Sequence, residues 1–100
     1  PSAAPWSPEQ RRQLQVDADN VVSSLAARFG ITNLNRIKPG IAEATRAVLR
    51  RVPEHVLVRS RDDRDVQLLM HLTDRAGVTV EEAGEQLGPY RAVTVIRSVN

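Results

Sequence analysis

The spacing of apolar residues predicts a long first helix over residues 8–29. Apolar side chains recur there at steps of three and four, which places them on one helical face: Leu14, Ala18, Val21, Val22, Leu25 and Phe29. Ser7, Pro8 and Gln10 form a start signal, because Ser caps, Pro fits the first turn and Gln closes a capping box. Gly30 follows and favours the left-handed conformation that ends a helix. The pattern therefore predicts an amphipathic helix with defined ends.

The middle of the chain predicts two further helices and a strand. Residues 30–40, rich in Asn, Pro and Gly, predict a loop with room for a single turn. A second amphipathic helix begins at Ile41 and is ended by Pro53. The β-branched stretch 55–60 predicts a short strand. A third helix is expected from a cap at Ser60 to the residue before Gly77.

The last quarter of the chain is less uniform. The capping-box pattern that begins at Thr79 predicts a short fourth helix to about Leu87. Residues 90–100 fit two structures: alternation around Val93 and Val95 favours a strand that pairs with residues 55–60, while wider spacing allows a short helix. The expected fold class is mainly α, a compact bundle of about four helices with one or two short strands near residues 55–60 and 91–98. Residues 1–6 have linker-like composition, and residues 7–100 are expected to form a single helical domain.

Composition excludes several classes of protein. The 100 residues are 41% hydrophobic and 26% charged, which excludes a disordered chain. The sequence has no cysteine, which excludes disulfides, thiol catalysis and cysteine-ligated zinc. No apolar stretch approaches about 18 residues, the length that a membrane-spanning helix needs. A cytoplasmic location is expected.

The basic residues are nearly all arginine and are unevenly distributed. Thirteen of the fourteen are Arg, and the net charge is only +2. Residues 46–61 hold five arginines against one acid, and we expect four of them to contact phosphates: Arg46, Arg50, Arg59 and Arg61. The alternative is that these arginines form ion pairs with neighbouring carboxylates.

Residues 66–97 resemble a helix-turn-helix. A helix is followed by Gly84, a small residue where two helices would cross, and by Leu87 and Gly88 at the turn. The resemblance implies a recognition helix from Tyr90 onward that offers three side chains to the major groove of DNA: Arg91, Thr94 and Arg97. The segment departs from the motif at Pro89, where the turn usually has an aliphatic residue.

The sequence thus predicts a non-enzymatic regulatory domain that binds duplex DNA through residues 79–97. The alternative is a module of a larger protein that binds another protein or a second copy of itself through helix 8–29, with Trp6 as an exposed anchor. No catalytic constellation is visible, so no enzymatic activity and no cofactor are expected. His55 and His71 lack the spacing of metal ligands, so no metal site is expected either.

Overall fold

A computed structural model describes residues 7–98 as three helices and four strands. The helices are α1 (Pro8–Phe29), α2 (Ile41–Leu49) and α3 (Gln67–Ala76). The strands are β1 (Ile37–Pro39), β2 (Pro53–Val58), β3 (Val80–Glu82) and β4 (Ala92–Ile96). Short 3₁₀ turns at Leu34–Arg36, Arg64–Val66 and Gly84–Leu87 lie between them.

The four strands form one mixed sheet in the order β1-β4-β2-β3. Strand β4 is antiparallel to both β1 and β2, and β3 is parallel to β2. Val58 therefore pairs with Ala92 on one side and with Glu82 on the other. The last residues of β1, β2 and β3 meet the first residue of β4 at one side of the sheet, which we call the carboxyl edge. The opposite side, where β2 begins and β4 ends, is the amino edge.

Helices cover both faces of this sheet. Side chains alternate along a strand, so Leu57 and Val93 join one apolar core with α1, in which Leu25 is fully buried. Val56 and Val58 point to the other face and join a second core beneath α2 and α3. The result is a three-layer arrangement in which α1 lies alone on one face.

The prediction for α1 is confirmed at both ends. The Ser7 hydroxyl accepts from the Gln10 backbone N–H, the Gln10 side chain accepts from the Ser7 N–H, and both halves of the capping box are present. Gly30 is left-handed, with φ of 67°. The strand predicted near 55–60 is also confirmed as β2, and β4 pairs with it.

The predicted fold class is wrong, because a four-stranded sheet replaces the four-helix bundle. The expected fourth helix is β3 followed by a 3₁₀ turn. Val80 is buried opposite Val56, and pairing with β2 outweighs the local capping signal at Thr79. Residues 92–96 are a strand, so the recognition helix predicted from Tyr90 onward does not exist.

Three element boundaries also differ from prediction. Strand β1 lies within the predicted loop, since three residues are too few to show a period. Helix α2 ends at Leu49 rather than at Pro53, because a turn closes at Arg51. The turn before α3 is capped by Asp63, which accepts from the Asp65 N–H, and not by Ser60.

Candidate nucleic-acid interface

Backbone hydrogen bonds tie four chain segments together at the carboxyl edge. The Gly40 N–H donates to the Ala92 carbonyl over 2.8 Å, which holds the start of α2 against the start of β4. The Arg59 N–H donates to the Arg91 carbonyl over 2.9 Å. The Ala83 N–H donates to the Val58 carbonyl over 2.8 Å, which brings in the segment after β3. Residues distant in sequence thereby become neighbours along one rim.

The first turn of α2 lies at the carboxyl edge. Gly40 is its N-cap, with φ of 105°, and no side chain of the described segment caps the helix. The first N–H groups of a helix lack partners within it and carry a partial positive charge. Such groups attract phosphate when they are exposed beside other cations. Helix α3 also begins at the carboxyl edge, since it follows β2.

Two arginine side chains, Arg59 and Arg91, lie at the carboxyl edge and are held there by local contacts. Arg59 donates from Nη1 to the Gly88 carbonyl over 2.6 Å, and its side chain is exposed. Arg91 forms ion pairs with Asp65 and, at 3.6 Å, with Asp63. A cavity of about 480 Å³ lies between these groups, lined by Arg59, Ser60, Asp63, Pro89 and Arg91. The cavity offers two guanidinium groups beside one carboxylate.

A second group of cations lies along α2. Arg46 forms an ion pair with Glu43, three residues earlier on the helix. This hydrogen bond and the charge of Arg46 lower the pKa of Glu43, and the charges of Lys38 and Arg50 act in the same direction. Lys38, Arg46 and Arg50 therefore lie near the same carboxylate on one side of α2.

The structure separates the residues that the sequence grouped as a site. Arg91, Arg59 and Arg61 lie at the carboxyl edge, and Arg61 donates from its backbone N–H to Glu82 over 2.8 Å. Arg46 and Arg50 are exposed on α2. The contacts of these arginines with phosphate stay predictions.

Two of the three side chains that were predicted to contact bases do not lie beside the third, Arg91. Thr94 is fully buried in the centre of β4, so it cannot touch a nucleic acid. Arg97 follows β4 at the amino edge, where its N–H donates to the Val52 carbonyl over 2.9 Å, and it lies at the opposite edge from Arg91. Residues three apart share a face on a helix, which is why Arg91, Thr94 and Arg97 were grouped. In a strand, residues three apart point to opposite faces. Trp6 lies outside the described residues.

Sequence reasoning missed Lys38 and Gly40. Both were part of the predicted loop, because Pro39 and Gly40 are typical of turns. The available signal was a Gly immediately before an amphipathic helix with a cation two residues earlier, which is a weak pattern without the sheet beside it.

Metal ligation, the role of His55 and membrane spanning can also be judged from the described residues. Within residues 7–98, no three or more His, Asp or Glu side chains cluster as metal ligands would. His55 stacks on Phe29, with ring centroids 4.1 Å apart and planes 21° apart, which gives this histidine a packing role. Among the same residues, no helix has both the length and the apolar character to cross a bilayer.

Comparison with known proteins identifies the fold. The model of a family described as the PELOTA RNA binding domain matches residues 16–98. The cysteine protease StiP of Acinetobacter baylyi is 49% identical over 98 residues, which is 98% of this chain and 26% of that protein. The chain thus spans about a quarter of that relative's length. A solved structure, the Giardia lamblia 15.5kD RNA binding protein, is similar with a TM-score of 0.55 and 23% identity, covering 96% of this chain and 82% of that one.

The predicted binding of duplex DNA is therefore wrong. The recognition helix on which it depended is strand β4 in the structure, and the matching family is one of RNA-binding domains. The expectation of duplex DNA as the partner is corrected with it, since the family that matches is one of RNA-binding domains.

Proposed function

Because this chain belongs to the family of PELOTA RNA binding domains, we propose that it binds RNA and that the carboxyl edge is the binding surface. The observation that carries the choice of surface is the hydrogen bond from Gly40 to Ala92. It places the uncapped start of α2 beside the arginines that flank β2 and β4. Backbone N–H groups and guanidinium groups therefore both lie at this edge, and both kinds of group bind phosphate oxygens.

The chemistry of this edge favours folded RNA over an extended single strand. Proteins that bind single strands stack bases on exposed aromatic rings, and this chain has three aromatic residues in all. Of these, Phe29 stacks on His55, and Tyr90 is half-buried against the α1 core. Contacts from the start of α2 and from arginines suit backbone phosphates and the base edges that a bulge exposes. We therefore expect a hairpin with an internal bulge as the preferred ligand class.

We propose that this chain binds RNA and does not itself catalyse a reaction. The relative named as a cysteine protease matches this chain over about a quarter of its own length, and the 100 residues here contain no cysteine. A thiol nucleophile would have to come from another part of a longer protein. An RNA partner is consistent with the cytoplasmic location expected from the sequence.

The direct test is fluorescence anisotropy with three labelled probes at about 50 and about 200 mM salt. The probes are a bulged RNA hairpin, the DNA hairpin of the same sequence and an unstructured oligouridine. We expect the RNA hairpin to bind at micromolar concentration or better, with the other two weaker and all three sensitive to salt. Equal affinity for the RNA and DNA hairpins would overturn the proposal. The RNA should be recovered intact, and cleavage would contradict binding without catalysis.

Variants then test the surface. Lys38→Gln and Arg59→Gln each remove one positive charge from the carboxyl edge, and each should weaken RNA binding several-fold. Arg97→Gln removes the same charge at the amino edge and is the matched control. Equal loss in all three variants would mean that RNA responds to net charge and has no preference for this edge.

A further inference from the structure

Helix α2 ends on a backbone conformation that is unusual for its residue. Arg51 has φ of 59°, and it is the one residue other than Gly with positive φ in the described part of the chain. Its N–H donates to the Val48 carbonyl, and the Val52 N–H donates to the Ala47 carbonyl. This closing turn normally has Gly at the left-handed position, because a β-carbon is strained there. Strain of this kind is typical of positions where a side chain has a task.

The Arg51 side chain borders a cavity that it shares with a second arginine. The cavity, of about 390 Å³, lies between the ends of α2 and α3, and it is lined by Val48, Arg51, Pro53, Arg75, Ala76 and Val78. The lining contains two arginines and no carboxylate. Neither arginine forms an ion pair with any residue from 7 to 98.

An anion fits this arrangement better than a structural role alone. The partial negative charge at the carboxyl-terminal end of a helix attracts cations, which accounts for Arg51 after α2 and Arg75 in the last turn of α3. It does not account for two guanidinium groups that border one cavity without a carboxylate between them. Guanidinium groups bind phosphate through paired N–H donors, so two arginines that border one cavity are suited to contact the same phosphate group.

Helix α2 connects the carboxyl edge to this cavity, since Gly40 precedes the helix and Val48 and Arg51 line the cavity. Arg46 and Arg50 are four residues apart and share a helical face. Lys38 and Gly40 lie at the start of that face, and Arg51 follows its end. The nine residues of α2 span about 14 Å, so cations recur over that length from one edge of the sheet to the other.

We propose that RNA bound at the carboxyl edge continues along α2, and that one of its phosphates occupies the cavity between Arg51 and Arg75. The inference rests on the proposed function and adds to it a second contact at the amino edge. An RNA that fills the carboxyl edge alone is too short to reach this cavity. Affinity should therefore depend on RNA length, and the dependence should disappear when the cavity loses its arginines.

The test uses two labelled RNA hairpins that share one bulge and differ in stem length. One stem has about 5 base pairs beyond the bulge, and the other has about 16, the span that a double-stranded RNA-binding domain covers. Anisotropy titrations compare the wild-type chain with Arg51→Gly, Arg75→Gln and Arg97→Gln. The first substitution gives the turn the residue that it prefers, so the fold is kept while the guanidinium is lost. Arg97→Gln removes a charge at the same edge from a residue that does not line the cavity.

We expect the wild-type chain to bind the long hairpin about tenfold more tightly than the short one. Arg51→Gly and Arg75→Gln should each remove several-fold of that gain, leave the short hairpin unchanged and reduce the slope of log affinity against log salt by about one. Arg97→Gln should behave like the wild type.

Four results would overturn the proposal, and they separate the second contact from the proposed function. Equal wild-type affinity for the two hairpins, or undiminished binding of the long hairpin by Arg51→Gly, removes the second contact and leaves RNA binding at the carboxyl edge intact. An equal loss in Arg97→Gln assigns the effect to net charge and not to this cavity. Failure of the wild-type chain to bind either hairpin removes the proposed function itself, and the second contact with it.

Discussion

Gly88 lies against Val21 so closely that a β-carbon on Gly88 would stand 2.7 Å from the Val21 Cγ2 atom. Its backbone has φ of 56° and ψ of −122°, a conformation that residues with a β-carbon avoid. The Gly88 carbonyl also accepts from Arg59. The close approach of α1 to the carboxyl edge therefore depends on the absence of a side chain at this position.

Substitution Gly88→Ala should destabilise the fold by about 3 kcal/mol, because steric overlap with Val21 adds to backbone strain. Urea and thermal unfolding measure the change. Gly77→Ala is the control: Gly77 has φ of 71° and nothing within 4 Å of an added β-carbon, so it should cost about 1 kcal/mol from backbone strain alone. Equal losses in the two variants would show that the contact with Val21 contributes nothing.

Substitution Thr94→Val should leave stability unchanged or raise it by up to about 1 kcal/mol. Thr94 is fully buried, and its hydroxyl has no hydrogen-bond partner among residues 7–98. Valine keeps the shape and removes the cost of burying an unpaired polar group. Thr73→Val is the contrast, because the equally buried Thr73 hydroxyl donates to the Met70 carbonyl over 2.8 Å, and its loss should cost about 1 kcal/mol. A fall in melting temperature for Thr94→Val would indicate a satisfied hydroxyl.

Glu43 should titrate below its usual pKa of 4.5, because Arg46 donates a hydrogen bond to the carboxylate and adds a favourable charge. A lowered folded-state pKa means that this stabilisation is present above the unfolded-state pKa and is lost as the pH falls through the lowered value. Carbon NMR of the side-chain carboxyl measures the titration. Arg46→Gln should raise the midpoint clearly, and Arg50→Gln should raise it less. The reverse order would contradict the assigned cause.

Substitution Asp65→Asn should strengthen RNA binding several-fold at about 50 mM salt, with a smaller gain at about 200 mM. Asp65 forms an ion pair with Arg91 at the carboxyl edge, where the carboxylate competes with phosphate and repels it. Asp74→Asn on α3 removes the same charge from an exposed residue away from this edge. Measured with the short hairpin, which does not reach the Arg75 cavity, it should have little effect. Unchanged affinity for Asp65→Asn would place Arg91 outside the RNA interface.

Elements whose signals are local were predictable from the sequence. The capping box at Ser7 and the left-handed Gly30 lie within a few residues of the ends that they determine, so α1 was predicted to the residue. The alternation of Val93 and Val95 favoured a strand, but the sequence also allowed a helix there, and the helix-turn-helix resemblance used the helix. The structure has the strand, paired with β2.

Elements that depend on a partner were not predictable in this way. Strands β1 and β3 have three residues each, and they exist because β4 and β2 offer them hydrogen bonds. The same holds for the candidate site, since Arg59 and Arg91 become neighbours only through pairing of their backbones. The sequence selected Arg59 from the basic stretch 46–61 and Arg91 from the helix-turn-helix resemblance, as two separate groups. Their common location follows from the order of the strands.

The order of the strands also has a consequence for synthesis of the chain. Strand β4 is the last to leave the ribosome, yet it lies between β1 and β2 and is the one neighbour that β1 has within the described sheet. Until residues 92–96 have emerged, Gly40 lacks the carbonyl of Ala92 that anchors α2. Contacts between such distant segments form slowly. The carboxyl edge is therefore completed only after residue 92 has emerged, and a nascent chain that stalls earlier lacks the edge at which we propose that RNA binds.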